Sequence, residues 1–228
     1  MAFPNSLFLV ILFSFLSLLP STQSRLSTDY YNKRCPQFDN IMQRIIADKQ
    51  LSAPTTAAAI LRVFFHDCVV NGCDASILIA SNAFNKSELD ADTNLSLAGD
   101  AFDLIVRAKT AVELQCPGVV SCSDILARSA RDLVVMVGGP FYEVLLGRKD
   151  SKVSDPSMVE SNLPKATSPM SQILSLLGQR IFGGRNGCSL RCTYHWFLPI
   201  VKSLPIEYST SVRLLSMTLP IILHLHKV

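Results

Sequence analysis

The sequence predicts a mostly α-helical fold, and two observations support this prediction. Residues 38–51, 101–115 and 121–137 each carry apolar side chains at the spacing that places them on one face of a helix. In contrast, only residues 144–146 resemble a strand, and this apolar run is short. No internal repeat or low-complexity tract interrupts the pattern.

Residues that start or stop helices mark the boundaries of these elements. Pro54 opens a second helix, which runs through an alanine-rich stretch to residues 62–66. Pro117 ends the next helix, because proline lacks an amide hydrogen. Two glycines and a proline at 138–140 end the last one. Charged side chains interrupt this last helix, so we expect it to be the central core helix rather than a membrane span.

Length, charge and the N-terminus define the class of protein. The chain has 228 residues, which suits one domain, or one domain with an incomplete partner, and its net charge of +3 does not favour nucleic acid. The uncharged run Leu7–Leu19 is too short to span a bilayer and is followed by polar residues. It predicts a signal peptide at residues 1–24 and a mature protein that is secreted and free of the membrane. A buried N-terminal helix is the alternative.

The run from Arg62 to Ser76 contains the most informative residues. Arg62 and His66 are four residues apart and share one face of a helix. Histidine can take and return a proton near neutral pH, and a permanently charged arginine can stabilise developing negative charge. Alone, such a pair is more typical of a solvated helix face. Asp67 and a small Cys68–Cys73 ring follow directly and change that interpretation.

This run resembles the distal motif of the plant secretory (class III) heme peroxidases. The resemblance covers roughly residues 25–178 and implies the heme-peroxidase helical fold, with the distal domain present and the proximal domain incomplete. It implies a secreted monomer that binds heme b, removes hydrogen peroxide and oxidises small phenolic donors. Extracellular space or cell wall is the expected destination, with the vacuole as the alternative.

The resemblance also assigns roles to individual residues. His66 is the acid/base, Arg62 stabilises charge, and Phe65 packs over the heme edge. Asn94 hydrogen-bonds His66 and keeps the far ring nitrogen free; its alternatives are a helix N-cap or a glycosylation sequon. Pro164 helps hold the phenolic substrate, and its alternative is an ordinary loop proline.

Oxygen-bearing residues behind Arg62 and His66 predict a metal site. Hard oxygen ligands gathered in one loop suit calcium, and an ordinary Asp/Gly turn is the alternative. In the family the matching positions hold the distal calcium, one of two calcium ions. The implied ligands are the side chains of Asp67, Asp74 and Ser76, the carbonyls of Val70 and Gly72, and Glu88 through water.

Secretion makes the seven cysteines interpretable as disulfides. Cys68–Cys73 is local, and Cys35–Cys116 matches the first long-range bridge of the family. Cys122 matches a cysteine whose family partner lies near the far C-terminus. Asn85 begins a glycosylation sequon on a polar loop. Asp124 and Arg148 are expected to form a buried ion pair.

The resemblance ends at about residue 178. The family holds the heme iron with the histidine of a Gly-Ala-His-Thr-Ile-Gly segment, which residues 179–228 do not contain. If that segment is written GGT GCA CAT ACC ATT GGT and read one base out of frame, it gives TGC ACA TAC CAT TGG, which encodes residues 192–196. We therefore interpret 179–228 as an out-of-frame tail, in which the apparent metal cluster Cys188, Cys192 and His195 is accidental. This predicts no appreciable activity; a calcium-binding remnant or an interaction protein is the alternative function.

Overall fold

The computed structural model describes residues 26–163, and these residues are helical. Their α-helices are α1 (Phe38–Ser52), α2 (Thr56–Val70), α3 (Gly99–Gln115), α4 (Cys122–Met136) and α5 (Pro156–Asn162). Two short 3₁₀ helices, Ser76–Leu78 and Glu88–Asp90, lie between α2 and α3. The predicted helices 38–51, 101–115 and 121–137 are confirmed to within two residues at each end, whereas the second helix runs to Val70, four residues beyond its predicted end. The predicted signal peptide, Pro164 and the tail from residue 179 lie outside the described residues.

Residues 144–146 do not form a strand. Leu146 makes one antiparallel bridge with Ser27, through N–O distances of 2.9 and 2.8 Å in the two directions. The chain turns away at Gly147, whose φ of +112° is readily adopted only by glycine. A Cβ there would also come within 2.8 Å of the Tyr30 ring. The short apolar run therefore pins the N-terminal segment in place without building a sheet.

Helix α2 is the most buried element of the described residues. Fourteen of its fifteen residues are buried, so it packs against neighbours on every side. Helix α4, which was expected to be the central helix, has ten of its fifteen residues buried and carries a polar face. On that face Arg128 and Arg131 both pair with Asp132. No helix within residues 26–163 has both the length and the apolar character that a membrane span requires.

The predicted ion pair between Asp124 and Arg148 is present and buried. Arg148 Nη1 donates to Asp124 Oδ1 at 3.0 Å, and both side chains are at most 4% exposed. Asp124 Oδ2 also accepts from the Tyr31 hydroxyl at 2.6 Å and from the Gly147 amide at 2.7 Å. One carboxylate thus ties the N-terminal segment, α4 and the 147–148 turn together.

Both predicted disulfides are present. Cys35–Cys116 joins the chain before α1 to the end of α3, and Cys68–Cys73 closes the loop after α2. Cys122 has no disulfide partner within residues 26–163. Burial, reinforced by the Asp150 carboxylate, raises the pKa of the Cys122 thiol to about 11. This thiol is therefore protonated and weakly nucleophilic at neutral pH.

Candidate active site

Helix α2 presents the predicted catalytic residues to one side. Arg62 and His66 are one helical turn apart on the same face, as expected. Phe65 is buried, and its ring lies edge-on to the His66 imidazole, with 6.0 Å between the ring centroids. The apolar helix thus carries one cation and one imidazole into a largely buried environment.

Two hydrogen bonds in series determine which ring nitrogen of His66 carries the hydrogen. Its Nδ1 lies 2.6 Å from Asn94 Oδ1, and Asn94 Nδ2 donates to the Glu88 carbonyl at 2.7 Å. Because the amide nitrogen faces a carbonyl, the amide oxygen must face His66 and accept its Nδ1 hydrogen. The other ring nitrogen, Nε2, therefore keeps its lone pair. The predicted contact of Asn94 with His66 is thus present.

The environment keeps His66 neutral. The pKa of the imidazole is lowered to about 4: burial is the main cause, the hydrogen bond to Asn94 opposes it, and the positive charge of Arg62 adds to the lowering. At pH 7 the Nε2 lone pair is consequently available to accept a proton. The site holds a neutral base beside a fixed cation.

Arg62 is held by the loop that also carries Asn94. Its Nη1 donates to the Ser96 carbonyl and its Nη2 to the Ser96 hydroxyl, both at 2.7 Å, and Nη2 also reaches the Thr93 carbonyl at 3.3 Å. Burial lowers the pKa of the guanidinium. Sequence reasoning missed Ser96, since Asn94-Leu95-Ser96 reads only as a sequon or a cap. No local signal predicts a contact between residues 34 positions apart.

The loop after α2 folds back onto the last turn of the helix. Gly72 has a φ of +99° and Ala75 a φ of +59°, so both lie in the left-handed region. The turn is tied to α2 because Asp67 Oδ2 accepts from the Ala75 amide at 3.1 Å. Within the turn itself, Asp74 Oδ1 accepts from the Ser76 amide at 3.2 Å. Disulfide and hydrogen bonds thus gather the predicted calcium ligands in one loop.

Several side-chain oxygens in and beside this loop are buried without a hydrogen-bond partner within the described residues. They are Asp67 Oδ1, Ser76 Oγ and both carboxylate oxygens of Glu88. Burial and, to a smaller extent, nearby carboxylates raise the pKa of Asp67, and the same two causes raise the pKa of Glu88 to about 7. Because a cation would satisfy these oxygens and reverse their desolvation cost, the donor set fits calcium.

The remaining predicted ligands are backbone atoms. Val70 is the last residue of α2, and Gly72 lies in the turn that follows. Within residues 26–163 no three Asp, Glu, His or Cys side chains converge as a metal cluster. The fit to calcium therefore rests on carboxylate, hydroxyl and carbonyl oxygens together, a mixture that hard cations accept.

Glu88 connects the two parts of the site. It begins a 3₁₀ helix capped by Ser87, whose hydroxyl accepts from the Leu89 amide. The Glu88 amide donates to Ser154 Oγ at 2.9 Å, its side chain lies near Asp74 and Ser76, and its carbonyl accepts from Asn94 Nδ2. Glu88 thus lies between the 67–76 loop and the Asn94–His66 pair.

Comparison with known proteins identifies the family. The family model described as Peroxidase matches residues 39–185. From Arabidopsis thaliana, Peroxidase 31 is 55% identical over 174 residues, 76% of this chain and 54% of that protein. Peroxidase 63 is 52% identical over 174 residues, 76% of this chain and 53% of that protein. Peroxidase 41 is 54% identical over 178 residues, 78% of this chain and 54% of that protein.

The chain spans about half the length of the curated relatives it matches. The matched part contains α1 except for its first residue, all of α2 to α5, and with them Arg62, His66, Asn94 and the loop that gathers the predicted calcium ligands. It follows that the chain belongs to the peroxidase family and, within it, to the plant class III group.

Proposed function

We propose that residues 26–163 form the distal half of the active site of a secreted heme peroxidase, which reduces hydrogen peroxide and oxidises phenolic donors. The observation that supports this most strongly is the hydrogen-bond series His66–Asn94–Glu88 beside Arg62. It leaves a neutral base with a free lone pair next to a cation, the pair that heterolytic cleavage of a peroxide requires.

The distal residues fit a heme. The buried Nε–H of Arg62 has no acceptor within the described residues, so a polar group of the cofactor would satisfy it. Phe65 supplies an apolar surface beside His66. Heme b, when bound, supplies the two electrons that break the oxygen–oxygen bond. Pro164, proposed to hold the phenolic donor, lies outside the described residues.

His66 and Arg62 divide the work on peroxide. His66 Nε2 removes the proton from the peroxide oxygen that remains in the site. It then delivers that proton to the departing oxygen, which leaves as water when the oxygen–oxygen bond breaks. Arg62 stabilises the negative charge that grows on the departing oxygen during this step. Asn94 Oδ1 accepts the hydrogen bond from Nδ1–H of His66, and this keeps the basic nitrogen, Nε2, directed away from Glu88.

The tail is part of the proposal. Residues 179–228 are an out-of-frame reading of peroxidase coding sequence, residues 1–24 are a signal peptide, and this chain therefore has no appreciable turnover. The match to the peroxidase family model ends at residue 185, seven residues into the proposed tail, and this supports a change of sequence in that region. After residue 178, one of the alternative reading frames would encode the Gly-Ala-His-Thr-Ile-Gly segment with its heme-ligand histidine. We call the protein translated in that frame the frame-restored chain.

Replacing Asn94 tests the observation that supports the function. In the frame-restored chain, Asn94→Val removes the acceptor for Nδ1–H, and we expect the rate of reaction with hydrogen peroxide to fall about 10- to 100-fold. Stopped-flow measurement of that rate provides the test. Asn32→Val, at an exposed asparagine outside the site, is the control and should leave the rate unchanged. Equal rates in both variants would contradict the role of Asn94.

Calcium binding is proposed on the buried oxygens of the 67–76 loop. We expect calcium at about 100 times its dissociation constant to stabilise the folded chain by about 2.7 kcal/mol, and a chelator to reverse this. Thermal unfolding with calcium and with chelator measures the effect. Asp67→Asn should abolish the response, whereas Asp92→Asn, at an exposed carboxylate, should preserve it. A calcium response that survives in Asp67→Asn would place the ion elsewhere.

The same oxygens support a second function for this chain, a secreted calcium-binding remnant without catalysis. It requires only the described loop, not the second heme ligand. Calcium binding with no histidine-ligated heme absorbance would favour the remnant, and heme binding with turnover would favour the enzyme. Two disulfides within residues 26–163 support secretion in either case, because such bonds persist in oxidising compartments.

A further inference from the structure

A short segment before α5, residues 150–155, lies against the 67–76 loop, which gathers the predicted calcium ligands. The Ser151 amide donates to the Asp74 carbonyl at 2.7 Å, and the Asp150 carboxylate accepts from the first two amides of α4. Any residue except proline can donate that backbone hydrogen bond at position 151, so it places no demand on the side chain. The other end of the segment is held by a side chain.

Ser154 provides this side-chain contact. Its Oγ accepts from the Glu88 amide at 2.9 Å, across 66 positions of sequence. Glu88 is the first residue of the second 3₁₀ helix, so its amide has no acceptor within that helix and needs one from elsewhere. Threonine at position 154 could accept the same hydrogen bond, whereas alanine could not. The contact therefore depends on the hydroxyl of one partly buried residue.

Helix α5 begins directly after this contact, with Asp155 as its N-cap. The helix packs against the second 3₁₀ helix and against α2, and its Val159 is fully buried. Leu163 at its end is buried as well, and Pro164, the proposed contact of the phenolic donor, follows in the sequence. The placement of α5 thus determines where the chain continues toward Pro164.

Two carboxylates flank the hydrogen bond between the Glu88 amide and Ser154. Both carboxylate oxygens of Glu88 are buried without a hydrogen-bond partner within the described residues. Burial is the main cause of the raised pKa of Glu88, and the Asp74 and Asp155 carboxylates add to it. The negative charges of Glu88 and Asp155 therefore oppose the approach of their two elements. A calcium ion in the 67–76 loop would offset this repulsion.

We propose that Ser154 is a positioning residue that couples calcium binding in the 67–76 loop to the placement of α5 and so to binding of the phenolic donor. This rests on the proposed function. Calcium attracts the Glu88 carboxylate, the Glu88 amide holds Ser154, and Ser154 holds the start of α5. The His66–Asn94 series leaves from the carbonyl of Glu88 instead, so the two connections are separate. Calcium thereby assists donor binding independently of the reaction with peroxide.

Hydrogen exchange in the 228-residue chain, with calcium and with a chelator, tests the coupling. We expect calcium to slow exchange in the 67–76 loop and in α5. With calcium, Ser154→Ala should exchange about 2- to 10-fold faster in α5, the equivalent of one hydrogen bond, and should lose the calcium response there while the loop keeps its own. Ser154→Thr should restore the response of α5. Ser161→Ala, at an exposed serine whose hydroxyl donates within α5, should preserve it.

The exchange data distinguish failure of this inference from failure of the calcium site. A calcium response of α5 that persists in Ser154→Ala would overturn the inference, as would a loop response without one in α5 of the unaltered chain. Both outcomes leave the proposed calcium site standing. No calcium response in the loop itself would refute that site, and the inference with it.

Kinetics of the frame-restored chain separate donor placement from the reaction with peroxide. We expect Ser154→Ala to raise the KM for guaiacol, a phenolic donor, about 2- to 10-fold and to leave the rate of reaction with hydrogen peroxide unchanged. Ser154→Thr should restore the KM, and Ser161→Ala should not change it. An unchanged KM in Ser154→Ala, with normal turnover, would refute the inference and leave the proposed function standing. An equal fall in the peroxide rate would also refute it, because the contact would then act through His66.

Discussion

Replacing His66 by leucine in the frame-restored chain is expected to lower its rate of reaction with hydrogen peroxide by about 10²- to 10⁴-fold. The substitution removes the nitrogen that takes and returns the proton. Leucine also suits the apolar surroundings of a residue that is 6% exposed, so the fold should persist. Stopped-flow kinetics under pseudo-first-order conditions, with folding checked by circular dichroism, measures the change.

A second substitution distinguishes the proton acceptor from the cation. Arg62→Leu removes the charge held by Ser96, and we expect it to slow the peroxide reaction through loss of charge stabilisation. Arg44→Leu is its matched control, because Arg44 is exposed on α1 and should have no effect. If the His66 and Arg62 variants react at the rate of the Arg44 control, α2 does not carry the catalytic residues.

Replacing Asp124 by asparagine is expected to destabilise the folded protein by about 3–5 kcal/mol. The change removes the negative charge but leaves the Arg148 guanidinium, whose side chain is 4% exposed, inside the protein. The Tyr31 hydroxyl and the Gly147 amide would lose their charged acceptor at the same time. Such a loss is a large share of the stability of a small domain, so much of the population would unfold.

Urea unfolding followed by circular dichroism measures this change, and two further variants define it. Tyr31→Phe removes one hydrogen bond to Asp124 and should cost about 1–2 kcal/mol, a value measurable even if Asp124→Asn fails to fold. Asp103→Asn weakens a partly exposed pair with Lys49 and should cost at most about 1 kcal/mol. Equal losses of unfolding free energy in Asp103→Asn and Asp124→Asn would show that the buried Asp124–Arg148 pair stabilises the fold no more than the partly exposed pair.

Local sequence patterns predicted the helices and the α2 residues of the site. The periodicity of 38–51 and 101–115 depends only on nearby residues, as does the four-residue spacing of Arg62 and His66. The nearly complete burial of α2 was not predicted. Its apolar residues surround the helix, so the sequence pattern does not show which neighbouring elements cover each side.

Contacts between distant residues limited the prediction of the site. Ser96 binds Arg62 through both its carbonyl and its hydroxyl, yet neither atom has a sequence signature. Asp150 caps the start of α4 by accepting from the amides of Cys122 and Ser123, again over more than 25 positions. Asn94 and the calcium loop were predicted through resemblance to a family, because their spacing alone permits a cap and an ordinary turn.

The most direct test compares the 228-residue chain with the frame-restored chain after each is refolded with hemin and calcium. Absorption spectra report histidine ligation of the iron, and oxidation of a phenolic donor by hydrogen peroxide reports turnover. We predict ligation and turnover in the frame-restored chain, and only the background of free hemin in the 228-residue chain. Comparable turnover in the two chains would contradict the proposed out-of-frame tail, and none in either would contradict the proposed distal site.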